Sequence, residues 1–179
     1  MMLAVSHRTN ADGSTMKRKK TTMANQNEIE EIQARLSIQR ALDNYGFGMD
    51  MHDMERWLST WHEDAVYDVD HPRRVCHGHA DMKDWVQQVW DQFAITNHFT
   101  TNHIIDFESP TTATGIGKGA VMFVMADGAY VTGAAIFHDK YEKRNNVWRI
   151  SYRKVDVNHL AQINGASVTQ HPAEQESQS

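Results

Sequence analysis

Downstream of residue 97 the chain falls into four long runs in which apolar and polar residues alternate: 98–108, 112–125, 129–143 and 147–158. A period of two belongs to strands with one face buried. The turns between the runs are Ser109-Pro110, Asp127-Gly128 and Asn145-Asn146. Asp-Gly and Asn-Asn suit the tight turns of antiparallel hairpins. Each run is roughly twice the usual ~5–6 residues of a strand, and over that length the inherent twist accumulates until the sheet curls. Gly115, Gly117, Gly119 and Gly133 sit inside these runs as sites for a bend or bulge. No other feature narrows the fold as much.

The first half of the chain is helical in pattern. A helix is expected over 27–49, where Ile38, Leu42, Tyr45 and Met49 hold an i, i+4, i+7, i+11 stripe. Ile29, Ile32 and Leu36 form a second stripe nearly opposite, as if the helix met both its own sheet and a second subunit. Gly46 and Gly48 loosen the last turn. Asp53 is placed to cap a short helix carrying Met54, Trp57, Leu58 and Trp61. A strand over 65–70, the turn His71-Pro72-Arg73 and a second short strand ending near Cys76 follow. The next helix, over 80–93, has one apolar face made by Met82, Trp85, Val86, Val89 and Phe93. Helices followed by a strand meander make an α+β domain. A mixed, largely antiparallel curved sheet wrapped on N-terminal helices is a cone-shaped α+β barrel with a pocket inside.

With 179 residues the chain has room for one such domain. The boundaries read as a disordered extension over 1–27, a folded domain over 28–162 and a disordered tail over 163–179. Met16 and Met23 are each a candidate translation start. The net charge of -5, with Lys17 to Lys20 as its one basic run, gives no footprint for nucleic acid. No apolar run has the ~18 residues of a membrane span. A lone cysteine, Cys76, suits a reducing compartment, so a soluble cytoplasmic protein is expected.

The residues that point to chemistry are Asp50 and His98. Asp50 falls at the C-terminal end of the first helix, where the macrodipole disfavours a negative charge. His98 lies in Asn97-His98-Phe99-Thr100-Thr101-Asn102-His103, where a helix hands over to a strand. An imidazole oriented by a carboxylate is the smallest unit that moves a proton near neutral pH. Three pieces carry a resemblance over about residues 28–160: Gly48-Met49-Asp50, His98-Phe99-Thr100-Thr101-Asn102, and the hairpin from Asp139-Lys140-Tyr141 to Val147-Trp148-Arg149-Ile150. Together they resemble the SnoaL-like branch of the nuclear transport factor 2-like superfamily, and its dehydrochlorinase and dehydratase members in particular. The resemblance implies the cone fold and a lyase that uses no metal or organic cofactor. It implies that His98 takes a proton from carbon, that Asp50 orients it, and that Arg153 steadies a departing anion at the pocket.

Tyr45, Tyr67 and Asn102 are candidates to hydrogen-bond a substrate oxygen, with Trp61 and Phe123 among the aromatic pocket walls. Aromatic residues are more often plain core, so only some of them should face a cavity. His71, Cys76, His77 and His79 lie close together in sequence, but their spacing is unlike that of zinc sites and no metal is expected. The reading is a cofactor-free lyase for a small hydrophobic molecule, aromatic ones included. Its alternatives are an isomerase or cyclase on the same dyad, a non-catalytic ligand-binding domain, and a small subunit of an oxygenase. A homodimer or homotrimer through the uncovered sheet face is expected.

Overall fold

The computed structural model describes residues 12–163, with side chains from Gln26 onward. The elements in chain order are α1 (Asp12–Asp50), α2 (Met54–Ser59), β1 (Trp61–Val69), β2 (Arg74–His77), α3 (Gly78–Gln92), β3 (Phe93–Ser109), β4 (Thr112–Met125), β5 (Tyr130–Arg144) and β6 (Val147–Ile163). Two compact units are present, one up to Leu36 and one from Ser37 onward.

In the first unit α1 starts at Asp12, well before the Asn27 expected from apolar periodicity. Periodicity reports packing, whereas a helix needs only compatible residues. Between Ser14 and Gly46 the chain has no glycine or proline, and it is rich in Lys, Met, Gln, Glu and Ala. Exposed i,i+4 contacts, Gln26 to Glu30 and Arg35 to Glu31, line this stretch. Ile29, Ile32 and Leu36 are exposed. The two ends expected to be disordered lie partly outside the described residues.

The second unit holds the α+β cone. Its sheet has the order β2-β1-β6-β5-β4-β3. All neighbours are antiparallel except β1 and β6, whose parallel pairing joins the first half of the chain to the meander. The expected strands are all present, with β1, β3 and β6 longer than read; α2 ends at Ser59, so Trp61, expected on that helix, opens β1. The turn at Asn145-Asn146 has both residues at positive φ (51° and 64°), the geometry that asparagine tolerates best after glycine.

Ile38, Leu42, Tyr45 and Met49 are buried, so the stripe read from the sequence is the packed face of the C-terminal half of α1. Beneath it sit Trp57 and Trp61, both fully buried. Asp53 caps α2 by accepting from the Arg56 amide at 2.9 Å. Gly48 is required by space. A Cβ there would lie 2.6 Å from the backbone nitrogen of Trp57, so α1 and α2 touch backbone to backbone.

The β4 glycines are not bulges, because β4 pairs with β5 through its whole length without a register shift. They make room instead. Cβ atoms at 115, 117 and 119 would run into the rings of Tyr141, His103 and Phe137. Bulges occur elsewhere, in β3 between Thr101 and Ile104 and in β6 at Asn158, opposite Ala134 and Ala135 of β5.

Candidate active site

The site begins at the end of α1. Two donors converge on the carbonyl of Met49, Trp90 Nε1 at 2.9 Å and Thr96 Oγ1 at 3.3 Å. These satisfy a carbonyl that the helix end leaves without an intrahelical partner. They also tie α1 to α3 and β3. His52, at positive φ (54°), breaks the chain away, and its ring stacks on Trp90 at 4.8 Å. Asp50 is thereby held at a fixed place.

Both carboxylate oxygens of Asp50 engage one residue. Oδ2 accepts from the backbone N–H of His98 at 2.7 Å, and Oδ1 lies 2.6 Å from His98 Nδ1. A carboxylate only accepts, so Nδ1 carries the hydrogen and Nε2 of the neutral ring keeps a lone pair. The imidazole side chain is 9% exposed and that of Asp50 18%. The pair is sheltered but not sealed.

His98 lines a cavity of about 320 Å³, within the range of small-ligand pockets. Most of its wall is apolar: Met49 from α1, Val69 from β1, Trp85 and Val89 from α3, and Phe123 and Phe137 from the sheet. Phe123 lies 5.1 Å from the His98 ring. The least exposed polar groups of this wall are His98 itself and the hydroxyls of Tyr45 and Tyr67, which bond to each other at 2.9 Å. Burial pushes both phenols up, Tyr67 far above the usual range, while the charge of Arg153 works against the rise at Tyr45. Both are therefore neutral hydroxyls at ordinary pH.

Arg153 does not line the cavity. It is fully buried behind it, with its guanidinium 4.6 Å from the Tyr45 ring and 4.4 Å from the Phe137 ring. It pairs with Asp139 through two bonds, Nε to Oδ1 at 2.7 Å and Nη2 to Oδ2 at 2.8 Å, and Tyr141 donates to the same carboxylate at 2.6 Å. Burial opposes the arginine's charge, but Asp139 outweighs it and holds the group protonated. The expectation that Arg153 meets a departing anion at the pocket is thus corrected: rings of the cavity wall stand between them. Asp139 was read only as part of a hairpin motif, because nothing in a period-two run marks which inward carboxylate has a cation opposite.

Two further expectations fall. Asn102 occupies the β3 bulge at positive φ (54°), is exposed and takes no part in the cavity. Trp61 is core, its ring packed against Trp57, Tyr45 and Tyr67 rather than facing the cavity. Conversely, Gln88, Gln92, His71 and His159 line the cavity, a placement that no local pattern marks. They come from α3, the β1–β2 turn and β6, brought together only by folding. His79 bonds the Trp61 carbonyl, and among the described residues no three His, Cys, Asp or Glu side chains are grouped so as to hold a metal ion.

Known proteins resemble this chain in sequence and in fold. Gamma-hexachlorocyclohexane dehydrochlorinase of Sphingobium indicum is 26% identical over 141 residues, 77% of this chain and 89% of that protein. The crystal structure of hexachlorocyclohexane dehydrochlorinase LinA-type3 from Novosphingobium barchaimii superposes with a TM-score of 0.74 at 23% identity, covering 80% of this chain and 99% of that one. A putative scytalone dehydratase from Novosphingobium aromaticivorans gives 0.69 at 18% identity, covering 75% and 90%. These likenesses share the nuclear transport factor 2-like cone. The family profile described as the SnoaL-like domain matches residues 30–154, the span that carries the helix end, the sheet and the cavity, and the chain therefore belongs to the SnoaL-like domain family.

Proposed function

We propose that this protein is a lyase that removes a carbon-bound proton and a neighbouring leaving group from a small hydrophobic molecule, aromatic ones included. His98 is the base. Its Nε2 lone pair takes the proton, while Asp50 fixes the tautomer and stabilises the imidazolium as it forms. The leaving group departs from the adjacent carbon with its bonding pair, and a double bond remains. Nothing is oxidised or reduced, so the chemistry asks for no cofactor. The apolar wall keeps water from the base and from the reacting carbon. The reading rests on one contact above all, both oxygens of Asp50 on His98 at the wall of an apolar cavity. It is supported by relatives whose names, dehydrochlorinase and putative dehydratase, describe eliminations. A reducing, cytoplasmic setting suits the free Cys76.

The test uses wild type, His98→Ala and Asp50→Asn with a panel of small halogenated, phenolic and polyketide-like compounds. Compounds that raise the melting temperature of all three proteins should be consumed by wild type, and slower by about 10²–10⁴-fold in the variants. Undiminished turnover by His98→Ala would end the assignment. A product lighter by the leaving group and one proton marks elimination. Unchanged mass would mark an isomerase or cyclase on the same base, and ligands bound but never consumed would mark a binding domain.

A further inference from the structure

Two inward-facing residues of β3 bond two consecutive residues at the end of α1. Thr96 Oγ1 donates to the Met49 carbonyl at 3.3 Å, and His98 engages both carboxylate oxygens of Asp50. β3 is an edge of the sheet, paired with β4 alone. A register shift between Phe93 and Ile95 interrupts that pairing just before Thr96. An edge strand that begins at such an irregularity has less of a ladder to hold it, so contacts on its other side carry more of the placement. Thr96 is itself 3% exposed. A buried position in a period-two run suits valine, which has nearly the same shape and no hydroxyl to satisfy.

The Met49 carbonyl takes a second bond from another element. Trp90 Nε1 of α3 donates to it at 2.9 Å, and the Trp90 ring is stacked on His52 at 4.8 Å. The carbonyls of Phe47 and Gly48 are met by backbone amides, those of Met51 at 3.0 Å and Asp53 at 2.8 Å. For Met49 the amide of His52 stands off at 3.4 Å, and the shorter bonds come from the two side chains. An acceptor gripped from both α3 and β3 therefore lies one residue before the carboxylate. Neither Thr96 nor Trp90 lines the cavity, so neither is placed to touch a molecule inside it.

We infer that Thr96 and Trp90 are positioning residues for the dyad: through the Met49 carbonyl they set where Asp50 stands against His98, and so keep the lone pair of His98 Nε2 turned to the cavity. This deepens the proposed function and rests on it. Loss of the donors lets the helix end and the edge strand part, which lengthens the Oδ1 to Nδ1 contact of 2.6 Å. A reacting group displaced by about 1 Å loses rate steeply, whereas a cavity wall left as it was binds as before. The signature is a fall in kcat at constant KM.

The experiment compares wild type, Thr96→Val, Thr96→Ser, Trp90→Phe, the double variant of Thr96→Val with Trp90→Phe, and His98→Ala. Each carries isotope-labelled histidine and is first checked for a cooperative melting transition. In the first arm NMR follows the His98 Nδ1 proton, which a carboxylate partner moves far downfield and shelters from exchange with water. His98→Ala identifies that signal by its absence. Wild type should show it, Thr96→Val and Trp90→Phe should weaken it, and the double variant should lose it. Thr96→Ser, which keeps the hydroxyl, should show it as wild type does. In the second arm kcat and KM are measured on compounds that wild type consumes. The double variant should lose about tenfold to hundredfold in kcat, with KM changed by less than about twofold. Thr96→Ser should recover most of the rate.

A signal missing from wild type, or undiminished in both single variants, overturns the inference. So does full kcat in a double variant that has lost the signal. A Thr96→Ser protein that behaves like Thr96→Val overturns it too, because the hydroxyl is then not what matters. Should the double variant fail to fold, the single variants decide by the same signal. The two readings separate cleanly. If wild type consumes no compound while the variants lose the signal, the lyase assignment falls and the positioning stands. If His98→Ala abolishes turnover and the other variants keep both signal and kcat, the assignment stands and the positioning falls.

Discussion

At the scale of single residues, the site is governed by which buried charges have partners. Asp139 and Arg153 are both fully removed from solvent and meet through two hydrogen bonds, with Tyr141 as a third contact. Such a pair adds little over an apolar replacement, but breaking it leaves an uncompensated buried charge. Replacing Asp139 with Ala should therefore destabilise the fold by about 3–5 kcal/mol, read by urea denaturation. The paired change Asp139→Leu with Arg153→Met should recover much of the loss. If the double variant is no more stable than the single one, the arginine's role lies in more than charge balance. Asp50 is the opposite case, a part-exposed carboxylate whose partners are the ring and amide of one histidine. Its removal is expected to cost turnover rather than fold, which is why it belongs in the activity test with His98.

At the scale of elements, the dyad depends on how the end of α1 is gripped. The Met49 carbonyl takes bonds from α3 and β3, and Gly48 lets α2 approach with no side chain between. A methyl group at 48 would meet the backbone of Trp57, not a flexible side chain, so neither element can yield cheaply. Gly48→Ala should lower stability by about 1–3 kcal/mol, the usual range for overpacking. It should also depress turnover out of proportion to the unfolded fraction, because Asp50 follows two residues later. Melting curves and kcat measured on the same preparation test this. Full kcat with a lowered Tm would mean that the helix end moves without disturbing the dyad. Exposed glycines give the contrast: Gly128 has open space around it.

For the whole molecule, the second unit has two sheet faces with different fates. The inner face closes over the cavity and α3. The outer face leaves Phe99, Ile104, Ile116 and Met122 exposed, with Ile104 and Ile116 directly opposite one another on β3 and β4. We propose that copies of this chain associate through that face, as an apolar patch of this kind suggests. Light scattering should find a dimer or trimer, and Ile104→Lys with Ile116→Lys should release monomers that still melt cooperatively. A wild-type monomer at micromolar concentration would rule this out. Acid sensitivity is a second global property. His103 turns inward from the β3 bulge against Gly117, and burial, aided by the charge of Arg153, pulls its pKa below the ordinary 6.5. His62 is likewise lowered, first by burial. A histidine held down in the folded state binds its proton more readily when unfolded, so stability is full above about pH 6.5 and falls as pH drops through that value. Melting temperatures between pH 8 and pH 5, above the carboxylate range, should decline in wild type and decline less in His103→Gln. Parallel curves would remove His103 from the account.

The sequence by itself determined the α+β order, the hairpin turns and the packed stripe of α1. Each of these is set by local physics: a period of two or of 3.6, and turn residues that tolerate positive φ. Asp50 and His98 lie 48 residues apart, and only the family resemblance pointed to their pairing. Tertiary structure alone decided which inward side chains share a space. Register and bulges put Asn102 outside and His103 inside, sent Trp61 to the core, and set Arg153 behind the cavity wall on Asp139. They also brought Tyr45 and Tyr67 within 2.9 Å across α1 and β1. A one-residue shift in a strand moves a side chain to the other face, and no local preference in the sequence fixes where such a shift falls.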